Sequence, residues 1–208
     1  MSEYFVPAGS GEAEFVEKRS SFLGHVRFVE TEAAAREFIN EMKKKHYDAR
    51  HNCWCYIIRG GAVRYSDDGE PQGTAGLPML EVFKREGVEN VVCVVTRYFG
   101  GVLLGTGGLL RAYTKSAKDA LDAAGIAAVR RWVKLEAACP YSLLERMKTE
   151  CLALEGAVSD VEYGADVRMT FLLPESRSEE FQARVTELSA GQSSAQAVGE
   201  ELMPVRVK

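Results

Sequence analysis

Three short segments hold side chains whose types and spacing suit chemistry. The first is Arg97-Tyr98-Phe99-Gly100-Gly101-Val102-Leu103-Leu104-Gly105-Thr106-Gly107-Gly108-Leu109-Leu110-Arg111-Ala112-Tyr113, with five glycines (Gly100, Gly101, Gly105, Gly107 and Gly108) in nine residues. Glycine permits positive φ and close approach of a ligand or another backbone. Where such a run opens a helix, the free N–H groups attract an anion. Arg97 and Arg111 at the flanks offer the planar fork that binds phosphate. The run is not a Walker A loop, because no Lys-Ser/Thr closes it. It is not a dinucleotide fingerprint either, since the third glycine of that pattern falls at Leu110. Tyr98 and Phe99 beside the arginines read as exposed aromatics of a binding surface. The competing reading is a tight, closely packed strand–helix connection.

The second segment is Ser66-Asp67-Asp68-Gly69-Glu70-Pro71, with three carboxylates in four residues. Such a set suits a divalent cation, but its spacing lacks the alternating oxygen ligands of a calcium loop. A solvated turn explains the same residues, so no metal or other cofactor is assigned. The third is His51, a lone imidazole that is either structural or a ligand or base.

The whole chain bounds what these residues can serve. Its 208 residues, 46% hydrophobic and 27% charged, describe one or two folded domains rather than a disordered chain. A net charge of −4, with neither half basic, argues against a broad nucleic-acid footprint and leaves room for a local patch. No stretch approaches a membrane span, and Met1-Ser2-Glu3-Tyr4-Phe5 lacks the order of a signal peptide; a cytoplasmic protein is expected. Five cysteines, an odd count without an export signal, read as free thiols. Cys53 and Cys55, two apart, share one face of a strand and are expected to be buried.

The elements that position these segments follow from periodicity. Residues 13–29 predict two short strands around Arg19-Ser20-Ser21. Thr31 then caps a helix through Ala34, Phe38, Ile39 and Met42, ending at Lys43-Lys44-Lys45. His51–Arg59 predicts a strand with Cys53, Cys55 and Ile57 on one face and Trp54, Tyr56 and Ile58 on the other. Gly60-Gly61 turns it into Val63–Tyr65. Residues 75–86 predict a helix packing through Leu77, Leu80, Val82 and Phe83. The apolar run Asn90–Thr96 is a buried strand, and a helix spans about Leu109–Ala124, ended by Gly125. From Arg131 the pattern restarts: a strand (132–139), a helix (141–155), two strands (158–163 and 167–173), a helix (178–189) and a last strand near 200–207. That order, βαββαβ, is the ferredoxin-like arrangement, and it divides the chain into residues 1–130 and 131–208.

Taken together, three ordered motifs resemble those of the Impact family in its bacterial YigZ branch. They are His51-Asn52-Cys53-Trp54, then Ser66-Asp67-Asp68-Gly69-Glu70-Pro71 with Gly73-Thr74-Ala75-Gly76 and Pro78, then Arg97-Tyr98-Phe99-Gly100-Gly101 through Tyr113. The motifs span about residues 15–125. The resemblance implies an α+β fold. Its N-terminal domain would be like the second domain of a small-subunit ribosomal protein and domain IV of elongation factor G, followed by a ferredoxin-like C-terminal domain. Eukaryotic members regulate translation through an additional partner-binding domain that this sequence does not show.

The expected function is a translation-related regulator that binds RNA or the ribosome through the turn at Arg97–Tyr113. The expected binding residues are His51, Asp67, Asp68, Glu70, Arg97, Tyr98, Phe99, Gly100, Gly101, Gly105, Gly107 and Arg111. The alternative is a hydrolase of a phosphate-bearing substrate, with His51, Asp67, Asp68, Glu70 and Arg97 in one pocket. A third reading, docking of a protein partner through Tyr98 and Phe99, is weaker. No membrane contact is expected.

Overall fold

The computed structural model describes residues 3–208, an α+β protein with two antiparallel sheets and five helices among those residues. The chain divides into two compact units. One holds Tyr4–Val129 together with Pro204–Lys208; the other holds Arg130–Met203 with Glu3.

The N-terminal unit opens with β1 (Tyr4–Pro7), a strand that the alternation of apolar residues does not signal. β2 (Gly11–Glu17) and β3 (Ser20–Phe28) form a hairpin. Its turn is Lys18-Arg19, both at positive φ, rather than a glycine pair. α1 (Glu32–Lys45) follows, and the Thr31 hydroxyl accepts from the Ala34 amide at 3.1 Å as the spacing predicts. Then come β4 (His51–Ile57), β5 (Val63–Ser66), α2 (Gly76–Glu86), β6 (Val91–Tyr98) and α3 (Gly105–Ala124). The sheet order is β2-β3-β6-β4-β5, with β6 central and buried along nearly its whole length.

This sheet has two covered faces. Cys53, Cys55, Cys93, Val95, Phe22 and Val26 face α2 and α3 in one core. Tyr56, Val92 and Val94 face α1 in another. β4 therefore splits its side chains as its alternation predicts, and all five cysteines are free and buried. Leu77 departs from the expected α2 face: it is exposed, while Met79 is buried in its place.

α3 begins one turn earlier than expected. Gly105, Gly107 and Gly108 lie inside its first turn, and only residues 99–104 form the connection. The helix lies against β2 and β3 through glycines. A Cβ at Gly11 would sit 2.1 Å from the Ala120 carbonyl oxygen, and one at Gly24 would sit 2.5 Å from that of Ser116. Small residues thus set the distance between α3 and the sheet.

β7 (Ile126–Cys139) starts in the N-terminal unit, where it pairs with β1, and continues in the C-terminal unit, where it pairs with β9. α4 (Leu144–Ala153), β8 (Ala157–Tyr163), β9 (Val167–Pro174), α5 (Glu175–Leu188) and β10 (Gln196–Arg206) follow. β9 pairs with β8, and β10 pairs with β7. The core of this unit includes Leu135, Met147, Met169, Phe171 and Phe181. No helix among the described residues is long and apolar enough to cross a membrane.

Candidate functional site

A cavity of about 430 Å³ opens on the α2/α3 side of the N-terminal sheet, lined in part by His51, Glu70, Arg97 and Phe99. Adjacent strands supply its floor. His51 on β4 lies directly opposite Arg97 on β6 in the antiparallel register, so both side chains leave the same face. Glu70 comes from the loop between β5 and α2. The first turn of α3 closes the far wall with Gly105 and Thr106, and Leu104 and Leu109 add apolar surface.

The polar floor is a buried ion pair. Arg97 Nη1 donates to Glu70 Oε1 at 2.6 Å, with side chains only 7% and 3% exposed. Tyr113, inside α3, donates to the same oxygen at 2.8 Å. Burial, then Cys53 and Glu70 nearby, push the Tyr113 phenol far above its ordinary range, so it stays a donor. Two donors on one oxygen stabilise a carboxylate that burial alone would disfavour. The Arg97 guanidinium lies 5.5 Å from the Phe99 ring centre, near the rim, and 5.4 Å from that of Phe22 below. Arg97 Nε is buried and has no hydrogen-bond acceptor among the described residues.

His51 is held in one orientation. Its Nδ1 sits 2.8 Å from the Asp68 carbonyl oxygen. A carbonyl only accepts, so Nδ1 bears the proton and Nε2 is the ring's remaining polar atom. Gly69, beside the ring, has φ of +87°, a conformation that favours glycine.

The other carboxylates are occupied elsewhere. Asp67 Oδ1 accepts from the amides of Ala75 and Gly76 at 3.1 and 2.9 Å, and Oδ2 from Gly73 at 2.8 Å. It therefore ties the loop to the start of α2. Asp68 accepts from Lys43 and from the Asn52 amide, both at 2.7 Å. Neither lines the cavity, and the three carboxylates of the loop do not converge. Among the described residues no group of three His, Cys, Asp or Glu side chains is arranged to hold a metal ion.

Tyr98 also faces away. It follows Arg97 on β6, so it leaves the opposite side of the sheet, where its hydroxyl meets His46 Nδ1 at 3.0 Å and Asp48 at 3.1 Å. Gly100 is there for packing: a Cβ would lie 2.0 Å from the Arg19 carbonyl carbon. Gly101 and Gly105 have φ of +85° and +69° with open space around them. Gly107 lies under the guanidinium of Arg111, which is exposed on α3 outside the cavity. Arg50, Leu103, Thr106 and Tyr113 are not among the expected binding residues, although the last three lie within the Arg97–Tyr113 run. Arg50 stands next to His51 in the chain, the one signal that pointed to it.

The head of α3 has no side-chain cap. Leu104 occupies the N-cap position and makes no capping bond. The first N–H groups of this 20-residue helix therefore have no side-chain acceptor, and Gly105 and Thr106, which carry two of them, line the cavity. Cys53, under the floor, is no nucleophile: burial pushes its thiol far up, and its Sγ donates to the Asp67 carbonyl oxygen at 2.9 Å.

The three motifs thus each supply residues to one cavity. Residues 18–121 match the Impact N-terminal domain, and residues 138–192 match a domain family of unknown function, DUF1949. The chain belongs to the IMPACT family. It is 37% identical to IMPACT family member YvyE of Bacillus subtilis, over 93% of this chain and 90% of that protein. It is 32% identical to IMPACT family member YigZ of Escherichia coli, over 96% of this chain and 100% of that one. A crystal structure of a hypothetical protein superposes with a TM-score of 0.60 at 30% identity, covering 96% of this IMPACT family chain and 98% of the other. Cavity floor, Asp67 loop and α3 head all lie inside the matched Impact N-terminal domain.

Proposed function

We propose that the chain is a cytoplasmic, translation-related regulator that binds RNA or the ribosome at the head of α3. One observation supports this most: an uncapped helix N-terminus opens on a cavity that holds a buried arginine and an aromatic rim. Helix amides hold phosphate oxygens. Phe99, 42% exposed, offers a face on which an unpaired base stacks. Arg50, which lines the cavity, and Arg111, on the exposed face of α3, offer further phosphate contacts. The arrangement is a local patch in an acidic protein, so binding is small in footprint.

The fold supports the same reading. In the C-terminal unit the order β7-α4-β8-β9-α5-β10, with β9 and β10 both beside β7, supports a ferredoxin-like reading. We assign the N-terminal unit to the type of elongation factor G domain IV, and the boundary between the two modules to the neighbourhood of residue 130, with Pro204–Lys208 returning to the N-terminal one.

Fluorescence anisotropy with single-stranded and hairpin RNA is the test. Binding that weakens steeply with salt, and falls in Phe99→Ala and in Arg50→Ala with Arg111→Ala, supports the reading. No binding at low salt, or binding untouched by those changes, rejects it.

A second reading has one observation behind it. His51, Glu70 and Arg97 line the same cavity, as a phosphate-ester hydrolase requires. Glu70 is committed to Arg97 and Tyr113, which leaves His51 Nε2 as the base. Release of inorganic phosphate from phosphorylated nucleotides, abolished by His51→Gln, is the result this reading needs.

A further inference from the structure

We propose that the cavity receives the end of an RNA chain, with a terminal phosphomonoester placed between Arg97, His51 and the head of α3. This rests on the RNA-binding reading and specifies which part of the RNA enters.

Three features separate a chain end from a chain interior. The first is depth. Arg97 is only 6% exposed in a concave site that Pro71, Leu103 and Leu104 also line. A phosphodiester in mid-chain has a nucleoside on each side and cannot be pushed end-on into such a site. A terminal phosphate has one substituent and enters first.

The second feature is unmet hydrogen-bonding capacity. Arg97 makes one side-chain hydrogen bond among the described residues, from Nη1 to Glu70, so Nη2 is left to donate to an incoming oxygen, while Nε is sealed from the cavity. A guanidinium has five donors, and buried donors are normally paired. A monoester offers three terminal oxygens, where a diester offers two. Glu70 already neutralises much of the Arg97 charge, so further positive potential comes from the amides of Gly105 and Thr106. That potential favours the more negative monoester.

The third feature is His51. With Nδ1–H donated to the Asp68 carbonyl, a neutral ring presents Nε2 as a lone pair. A phosphomonoester, whose second pKa is about 6, has a P–OH to donate in its monoanionic form. A protonated ring donates to the dianion instead. A diester has no such proton to give, so the neutral His51 ring distinguishes the two. Phe99 at the rim then lies against the first base.

The test compares one short single-stranded RNA in four forms at fixed salt: 5′-phosphorylated, 3′-phosphorylated, hydroxyl at both ends, and circularised. A nucleoside monophosphate is the fifth ligand. One end-phosphorylated form is expected to bind at least tenfold more tightly than the hydroxyl-ended and circular forms, and more tightly than the mononucleotide. His51→Gln is expected to shrink that ratio toward one, with circular dichroism confirming the fold. Equal affinity for all four RNAs overturns the chain-end proposal and leaves RNA binding standing. A mononucleotide that binds as tightly as the oligonucleotide also overturns it, because the partner is then a free nucleotide. Absence of binding by every RNA form removes the RNA reading itself.

Discussion

Glu70 shows how one side chain both builds and constrains a site. Its carboxylate anchors Arg97 from β6 and Tyr113 from α3, so it ties sheet to helix beneath the cavity. Removing one member of a buried ion pair leaves the other charged and unpaired. Glu70→Ala is therefore expected to lower unfolding free energy by about 3–5 kcal/mol, and Tyr113→Phe by about 1 kcal/mol. Urea denaturation measures both, and a Glu70→Ala loss below that of Tyr113→Phe would contradict the role given to the pair. Asp67 acts differently. Its three backbone acceptor bonds make it the lock of the loop, and Asp67→Ala is expected to cost about 1–3 kcal/mol. In Asp67→Asn one amide oxygen remains as an acceptor but the NH2 cannot accept, so a smaller loss is expected in the same titration.

Among elements, the sheet faces and helix periods were legible because burial is periodic. Thr31 capping α1 and Gly125 ending α3 were legible because each has a local cause, a side-chain acceptor in one and positive φ in the other. What escaped was set by tertiary contact. The Lys18-Arg19 turn has no glycine, and the start of α3 at Gly105 contradicts glycine's poor helix propensity. The carboxylates of residues 67–70 looked equivalent in sequence, yet three different partner sets separate them in the fold. A polar cluster where α1 ends was also invisible. His25 on β3 and His46 after α1 are 5% and 9% exposed, with ring centres 5.4 Å apart. Glu12, Lys45, Asp48 and Tyr98 face them from β2, α1, the following loop and β6. Burial lowers the pKa of both below the ordinary 6.5, with Glu12 opposing it at His25 and Asp48 opposing it at His46. The unfolded chain then binds protons first as pH drops. Stability is full above about pH 6.5 and is lost as pH falls from there through the folded-state values. Thermal melting between pH 7.5 and 5 is expected to show this decline, with a shallower slope in His25→Gln; a flat profile in the wild-type protein would refute it. Packing of α3 gives a second element-scale outcome. Gly24→Ala places a methyl against the Ser116 carbonyl and is expected to destabilise by about 1–3 kcal/mol, read from the urea midpoint.

On the scale of the whole molecule, the sequence pattern put a break near residue 130, where the βαββαβ order starts. It did not reveal that Pro204–Lys208 belong to the N-terminal unit. That segment is short, mixed in polarity and without period, so nothing local marks its partner. Its contacts are specific nonetheless. The Ile126 amide donates to the Lys208 main-chain oxygen at 2.9 Å, and the Val207 amide donates to the Ile126 oxygen at 2.8 Å. Gly125 makes room for this segment, since a Cβ there would meet Arg206 at 2.7 Å. The Lys208 ammonium reaches Glu86 at the end of α2, at 3.2 Å. Removing residues 204–208 deletes these main-chain bonds, with that from the Lys208 amide to the Ile126 oxygen at 3.1 Å, and opens the junction of α3 with β7, so a loss of about 1–3 kcal/mol is expected in the N-terminal unit. Lys208→Ala removes only a solvent-exposed ion pair and is expected to cost less than about 0.5 kcal/mol. Amide hydrogen exchange separates the two. Protection at Ile126 and Val207's neighbours on β7 should collapse in the truncated chain and persist in Lys208→Ala. If the truncation leaves exchange at Ile126 unchanged, the segment is an appendage, and the N-terminal unit is complete at Val129.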